Sequence, residues 1–90
     1  MDAVIYKYPL KLFGETDLEM PSNAQFIHAE CQGDIPMVWF KHNPSMCLYE
    51  KRTFLLLGTG QVFDSSDKKF LKTFMQGPFV WHLHEKAGGE

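Results

Sequence analysis

Short runs rich in apolar, aromatic and β-branched residues alternate along this chain with turn residues. The runs are six to ten residues long, which is typical of strands. The breaks between them fall at Pro9, Gly14, 21–23, 33–34, 43–45, 58–60, 64–67 and 77–78. The pattern predicts an all-β domain, a small antiparallel sheet of six to seven strands curled into a barrel or a sandwich. We expect a single domain over residues 1–86 and a flexible C-terminal tail at 87–90.

The best-defined element is a hairpin over residues 24–42 with Gly33 in its turn. Strict alternation in its first strand predicts one face made of Gln25, Ile27, Ala29 and Cys31. In the return strand Trp39 and Phe40 fall on opposite faces. Because both faces carry aromatic residues, we expect this strand to be covered on both sides.

Three further segments complete the predicted sheet. The continuous apolar run 52–57 predicts a central strand, and 79–84 predicts the closing strand. In the closing strand, Phe79, Trp81 and Leu83 are predicted to face the core, and Val80, His82 and His84 to face away. Residues 70–75 fit either a helical face or a strand, and we favour a strand that pairs with 79–84.

Charge and composition exclude some classes of function. The 90 residues carry nine Lys and Arg against eleven Asp and Glu, a net charge of −2. This balance argues against general nucleic acid binding, which needs a basic excess. There is no long apolar run and no signal-peptide pattern at the N-terminus, so we expect a cytoplasmic protein without membrane contact. In that reducing compartment, Cys31 and Cys47 are expected to be two small buried thiols.

A few residues could hold a small ligand. Arg52 is the only arginine, and its planar fork suits phosphate or carboxylate recognition, although it could equally pair with Glu50 or Glu30. Trp39 and Lys41 offer a stacking surface and a cation. The tripeptide Gly58-Thr59-Gly60 is either a turn at a strand end or a backbone site for an anion. The candidate ligand set is therefore Arg52, Trp39, Lys41, Gly58, Thr59 and Gly60.

Two polar clusters complete the candidates. Glu15, Asp17 and Glu19 alternate, so they predict a carboxylate row on one strand face, either a protected edge or a contact for a basic partner. His82 and His84 share a strand face and with His42 could form a three-histidine metal site. Solvated or paired histidines are the simpler interpretation, and we predict no metal and no cofactor.

Several phrases, taken together, resemble a known family. They are Ile5-Tyr6-Lys7-Tyr8-Pro9-Leu10, Met20-Pro21, Ile35-Pro36-Met37-Val38-Trp39, Glu50-Lys51-Arg52-Thr53-Phe54, Gly58-Thr59-Gly60 and Val80-Trp81-His82-Leu83-His84-Glu85. Their order and spacing are similar to those of a family of small phage and prophage domains of unknown function. The resemblance implies a β fold and a phage context, and no reaction.

Three functions follow as expectations. The first is a non-enzymatic phage accessory protein that inhibits a bacterial anti-phage immune protein in the cytoplasm of the infected host. The second is a homo-oligomer that sequesters a nucleotide immune signal. The third is a small metal-dependent hydrolase that uses the three histidines. The sequence shows no nucleophile motif, which favours a binding protein over an enzyme.

Overall fold

A computed structural model describes residues 2–87, in which the chain forms seven β-strands and no helix. The strands are β1 (Val4–Pro9), β2 (Thr16–Pro21), β3 (Gln25–Gln32), β4 (Ile35–His42), β5 (Tyr49–Gly58), β6 (Lys68–Gln76) and β7 (Phe79–Lys86). The predicted all-β class is confirmed, and the segment 70–75 lies in a strand. With no helix in this range, residues 2–87 contain no helical segment that could cross a membrane.

The strands form two antiparallel sheets. A three-stranded sheet has the order β1-β4-β3, and a four-stranded sheet has the order β2-β5-β7-β6. Within residues 2–87 no closed barrel forms, and the seven antiparallel strands are divided between two sheets. The strand predicted to be central, β5, lies between β2 and β7.

One hydrophobic core lies between the two sheets. Phe40 of β4 packs against Phe54 of β5 with ring centroids 5.6 Å apart, and both side chains are fully buried. The core also contains Leu10, Met20, Ala24, Ala29, Val38, Leu56, Phe74 and Leu83. These residues come from both sheets, so the burial of their apolar surface holds the sheets together.

Two glycine turns set the hairpins. Gly33 has φ +66° between β3 and β4, and Gly77 has φ +56° between β6 and β7. Each is the first residue of a two-residue loop, where a positive φ matches the twist of the flanking strands. The predicted hairpins at both places are confirmed, with Gln32 opposite Ile35 and Gln76 opposite Phe79.

A β-bulge corrects the predicted faces of β3. The register shifts between Phe26 and His28, so Phe26 lies opposite Phe40 while His28 lies opposite Trp39. Phe26 therefore shares the core side with Ala29, and Gln25 is on the other face. The extra residue at the bulge breaks the strict alternation that the sequence argument assumed.

Two residues of β7 also depart from the prediction. Phe79 shares a face with the buried Leu83 but is 61% exposed, because it lies at the end of the strand, next to the Gly77 turn. His84 points to the opposite face, yet it is only 8% exposed. Of the tail predicted at 87–90, Ala87 donates its N–H to the Asp67 carbonyl at 2.6 Å, and the rest lies outside the described residues.

Candidate functional site

The fold distributes the predicted ligand residues over three separate places. Arg52 points to the core side of the four-stranded sheet, where its guanidinium lies 5.0 Å from the Phe40 ring centroid. Trp39 and Lys41 lie on the three-stranded sheet, on its outer face, which points away from the core. Gly58-Thr59-Gly60 lies at the end of β5, whose last residue is Gly58, six positions after Arg52. One chain therefore does not bring these residues into a single pocket.

Arg52 is held by hydrogen bonds in its place. Its Nε and Nη2 donate to the two carboxylate oxygens of Glu85 at 2.7 and 2.8 Å, and its Nη1 donates to the Ala24 carbonyl at 2.8 Å. The Glu85 bond raises the pKa of Arg52, while burial opposes that shift. The structural pairing predicted for Arg52 is present, but its partner is Glu85 and not Glu50 or Glu30. The guanidinium is thus already engaged by a carboxylate.

Gly58-Thr59-Gly60 borders a groove with a volume of about 470 Å³. Its lining consists of Leu12, Phe13, Gly14, Leu56, Gly58, Thr59, Gly60, Gln61 and Trp81. The turn itself is closed locally, because the Gln61 side chain accepts from the Gly58 N–H at 3.0 Å. None of these lining side chains carries a charge, so the groove lacks the cation that phosphate sites normally supply.

The three histidines lie in different surroundings. His42 is on the core side of the three-stranded sheet, with its ring centroid 5.2 Å from that of Tyr6 and the two rings tilted by 43°. His82 is on the four-stranded sheet, with the Thr59 and Thr73 hydroxyls 2.8 Å from its two nitrogens. His84 is covered by Phe63 and Phe70. Over residues 2–87 no three or more His, Cys, Asp or Glu side chains converge on a point that could hold a metal ion.

The acidic row is engaged by neighbouring strands. Asp17 accepts from the Thr53 hydroxyl at 2.7 Å, and Lys51 lies 4.0 Å from it. Glu15 pairs with Lys86 of β7 at 3.1 Å. Glu19 lies opposite Lys51 in the β2–β5 register. Asp17 and Glu19 lie on one face of β2 and Glu15 directly precedes the strand, and the three charges are partly balanced by cations of the same sheet.

The two cysteines differ from the prediction in burial. Cys31 is half-buried in β3, whereas Cys47 is exposed in the loop before β5, and both are free thiols. Burial raises the pKa of Cys31, and the nearby charges of Asp34 and Glu30 raise it further. The prediction of two buried thiols is therefore wrong for Cys47.

A surface that the sequence argument missed is the outer face of the three-stranded sheet. In the strand registers, this face is formed by Ile5 and Lys7 of β1, Met37, Trp39 and Lys41 of β4, and Gln25, His28 and Glu30 of β3. Lys41 is exposed and Trp39 only half-buried, so the expectation that β4 is covered on both sides is wrong. At the hairpin turn Ile35 is 50% exposed, and at the β1 edge Ile5 is 55% exposed.

The outer face of the four-stranded sheet is different, because the β5–β6 connection lies over it. The Phe63 ring is 5.1 Å from that of His84, and Thr59 is bound to His82. Leu57 on the same face is only 3% exposed. Within residues 2–87, the loop therefore covers His82 and His84 of one sheet, and no segment covers the outer face of the other.

The uncovered face carries Trp39 near its centre, with two lysines and the carboxylate of Glu30 around it. Trp39 packs 5.7 Å from the His28 ring, and His28 lies 2.8 Å from Glu30. Lys7 donates to the Gln32 side chain. Among the ion pairs of residues 2–87, neither Lys7 nor Lys41 has a carboxylate partner. The face thus presents two lysines without an internal counter-charge.

Comparison with known proteins places the chain in a family without assigning it an activity. No curated protein and no solved structure matches it. A family model described as a domain of unknown function, DUF7352, matches residues 1–90. The match confirms a family of unknown function, and the phage context stays a prediction. The chain belongs to the DUF7352 family.

Proposed function

We propose that this domain is a non-enzymatic binding module that docks on a protein partner through the uncovered outer face of its three-stranded sheet. The observation that carries the proposal is the asymmetry between the sheets. The four-stranded sheet buries Leu57 and His84 under its own loop, whereas Ile5, Ile35 and Lys41 remain exposed on the other. An uncovered sheet face with apolar residues among polar ones is typical of an interaction surface.

The charged side chains of this face indicate the kind of protein surface that would be complementary to it. Lys7 of β1 lies opposite Trp39, and Lys41 lies two residues from Trp39 on β4. Neither lysine forms an ion pair with a carboxylate within residues 2–87. Tryptophan and basic side chains are favourable at the centre and rim of protein interfaces. The fitting partner is a protein surface with an apolar depression surrounded by Asp and Glu. Charge complementarity of this kind accelerates association and selects the partner.

The resemblance noted above supplies the class of partner that we propose to test first, a bacterial anti-phage immune protein that the domain would inhibit. The two alternatives have less support from the geometry. The residues required by the nucleotide sponge lie in three places, and those required by the hydrolase lie on two sheets.

Site-specific photocrosslinking tests the proposal. The residue p-benzoylphenylalanine replaces Ile35 on the uncovered face or, as the control, Val62, which is 95% exposed on the covering loop. Both proteins are expressed in bacteria that carry anti-phage immune systems. We expect a crosslinked protein from position 35 and not from position 62.

Charge reversal then tests the site with the purified partner. Lys41→Glu should raise the dissociation constant about tenfold or more, since it places like charges in the interface. Lys11→Glu makes the same change on an exposed loop residue and should alter binding by less than about twofold. Equal effects of the two variants, or crosslinking only from position 62, would overturn the proposal. Restored phage growth that is lost in Lys41→Glu would identify the partner class.

A further inference from the structure

The four edge strands of the two sheets are not equally protected against pairing with another strand. β3 carries a bulge at Phe26/His28, and β6 carries one at Phe70/Lys72. β2 carries the acidic residues Asp17 and Glu19 and ends in Pro21. Bulges, charges and prolines are the usual devices that prevent edge pairing.

β1 lacks these devices over most of its length. Its register with β4 is regular from Val4 to Pro9, its single charged residue is Lys7, and its proline is the last position. Ile5 and Tyr6 are 55% and 54% exposed. Of the four edge strands within residues 2–87, β1 is therefore the least protected against backbone pairing with a further strand.

Two observations show the hydrogen-bond phase of β1, that is, which of its residues direct their backbone groups to β4 and which to the free edge. The Leu10 N–H donates to the Pro36 carbonyl at 2.9 Å, so Leu10 directs its backbone groups toward β4. The Gln32–Ile35 pair closes a two-residue turn, which directs the backbone groups of Ile35 toward β3 and those of Pro36 toward β1. The directions alternate along a strand. The backbone N–H and C=O groups of Ile5 and Lys7 therefore point to the free edge.

This phase selects one self-pairing register. In an antiparallel pair, directly opposite residues lie on the same face, so a two-fold axis must pass at a residue and not between two. With the axis at Tyr6, Ile5 lies opposite Lys7 of the second copy and the pair exchanges both backbone hydrogen bonds. With the axis at Lys7, two lysines would be directly opposed, and Pro9 would face Ile5 without an N–H to donate. With the axis at Ile5 or Tyr8, pairing within β1 would be confined to residues 4–6 or 7–9.

We propose that two copies of this chain associate through antiparallel pairing of their β1 edges about a two-fold axis at Tyr6. Val4 then lies opposite Tyr8 of the second copy, and the two Tyr6 side chains meet on the core side of the sheet. The result is one continuous six-stranded sheet of order β3-β4-β1-β1-β4-β3. The interface is isologous, so it closes at two copies.

The dimer does not depend on the proposed partner, but it changes the surface available to one. The two uncovered outer faces become a single face, with Lys7 and Ile5 of both copies at its centre. A partner that binds this face would gain from two linked contacts. Because pairing of two six-residue strands buries little area, we expect a dissociation constant in the micromolar range.

Measurement of mass against concentration tests the association, with a backbone variant as its probe. Sedimentation of the full chain should show a shift from the 10.4 kDa monomer to twice that mass between about 1 and 200 µM. Lys7→Pro removes an outward N–H from each copy and leaves the β4 ladder intact. It should raise the dissociation constant about tenfold or more. Lys7→Ala keeps the N–H and should change it by less than about threefold.

Disulfide trapping tests the register and remains decisive if Lys7→Pro fails to fold. In a chain with Cys31→Ser and Cys47→Ser, Tyr6→Cys places two thiols across the axis in a non-hydrogen-bonded pair, which has a suitable Cα separation. Oxidation should give a covalent dimer. Tyr8→Cys lies opposite Val4 and should give none. A chain that is monomeric at every concentration, or equal crosslinking of both variants, would overturn the proposal.

Discussion

Arg52 and Glu85 form a two-bond ion pair at the edge of the hydrophobic core, with Nε–Oε2 and Nη2–Oε1 distances of 2.7 and 2.8 Å. Their side chains are only 17% and 18% exposed. Since Arg52 also donates to the Ala24 carbonyl, the pair connects β5 and β7 to the segment that leads into β3. Its position makes it a structural cross-link between the sheets.

Loss of Glu85 should therefore destabilise the protein strongly. Glu85→Ala leaves the guanidinium close to the Phe40 and Phe54 rings without its counter-charge. We expect the free energy of unfolding, measured in urea, to fall by about 3 kcal/mol. Glu50→Ala removes an exposed carboxylate that makes no ion pair within residues 2–87, and it should change the value by about 0.5 kcal/mol or less. Equal losses would show that the pair adds no cross-link.

The two cysteines should differ in reactivity. Burial, together with Asp34 and Glu30, raises the pKa of Cys31, so less of its thiolate is present at any pH below that pKa. Cys47 is exposed. At about pH 7.5 we expect iodoacetamide to modify Cys47 about tenfold faster than Cys31, as followed by mass spectrometry of peptides.

A charge variant provides the control for this difference. Glu30→Gln removes one of the two negative charges that raise the Cys31 pKa, and it should increase the rate at Cys31 without changing that at Cys47. Faster modification of Cys31 than of Cys47 in the native chain would contradict the described burial of β3.

Asp64 should titrate below its ordinary value. It accepts from the Ser66 N–H at 3.0 Å and from the Ser66 hydroxyl at 2.8 Å, and these bonds lower its pKa. A lowered folded pKa stabilises the loop above the ordinary value of about 4, and this contribution is lost as the pH falls through the lowered pKa. NMR titration of the carboxyl carbon should show the shift.

Ser66→Ala separates the two bonds in that titration. It removes the hydroxyl and keeps the backbone donor, so the Asp64 pKa should rise part of the way to its ordinary value. Ser65→Ala is the matched control and should leave it unchanged. An unaltered titration in Ser66→Ala would assign the shift to the backbone bond and the nearby charge of Lys68.

Local features of this fold could be predicted from the sequence. Gly33 and Gly77 mark turns because a positive φ suits glycine, and the alternation in the segments beside them predicts the strands β3, β4 and β7. In β3 it predicts the strand but not its faces, because of the bulge. The carboxylate row on β2 follows from alternation alone. These features depend on residues close in sequence, for which the strand period is sufficient.

The features that decide the candidate site are long-range. Glu85 is 33 residues from Arg52, and the two meet only because β5 pairs with β7 in the observed register. The bulges of β3 and β6 have no glycine or proline that would mark them. The cover over His84 depends on the path of a loop. The sequence therefore left Arg52 open between a ligand and a carboxylate partner. It indicated neither Glu85 as that partner nor which sheet face stays open.

The difference between the two sheet faces depends on the loop that covers His84, and a substitution of Phe63 tests whether that loop is the cover. Its ring lies 5.1 Å from His84, whose Nδ1 is 3.0 Å from the His82 carbonyl, and Phe70 covers the other side at 5.5 Å. Phe63→Ala should expose His84 and lower the free energy of unfolding by about 1–2 kcal/mol, since the ring is only partly buried.

Histidine modification measures that exposure directly. Diethylpyrocarbonate should react with His84 several times faster in Phe63→Ala than in the native chain, with modification sites read by mass spectrometry. Val62→Ala changes the adjacent residue, which points into solvent, and should leave the rate unchanged. If His84 stays protected in Phe63→Ala, the loop is not the cover, and the difference between the two sheets would have another origin. A faster reaction instead shows that the loop shields this sheet face, which is the difference between the sheets on which the proposed docking face rests.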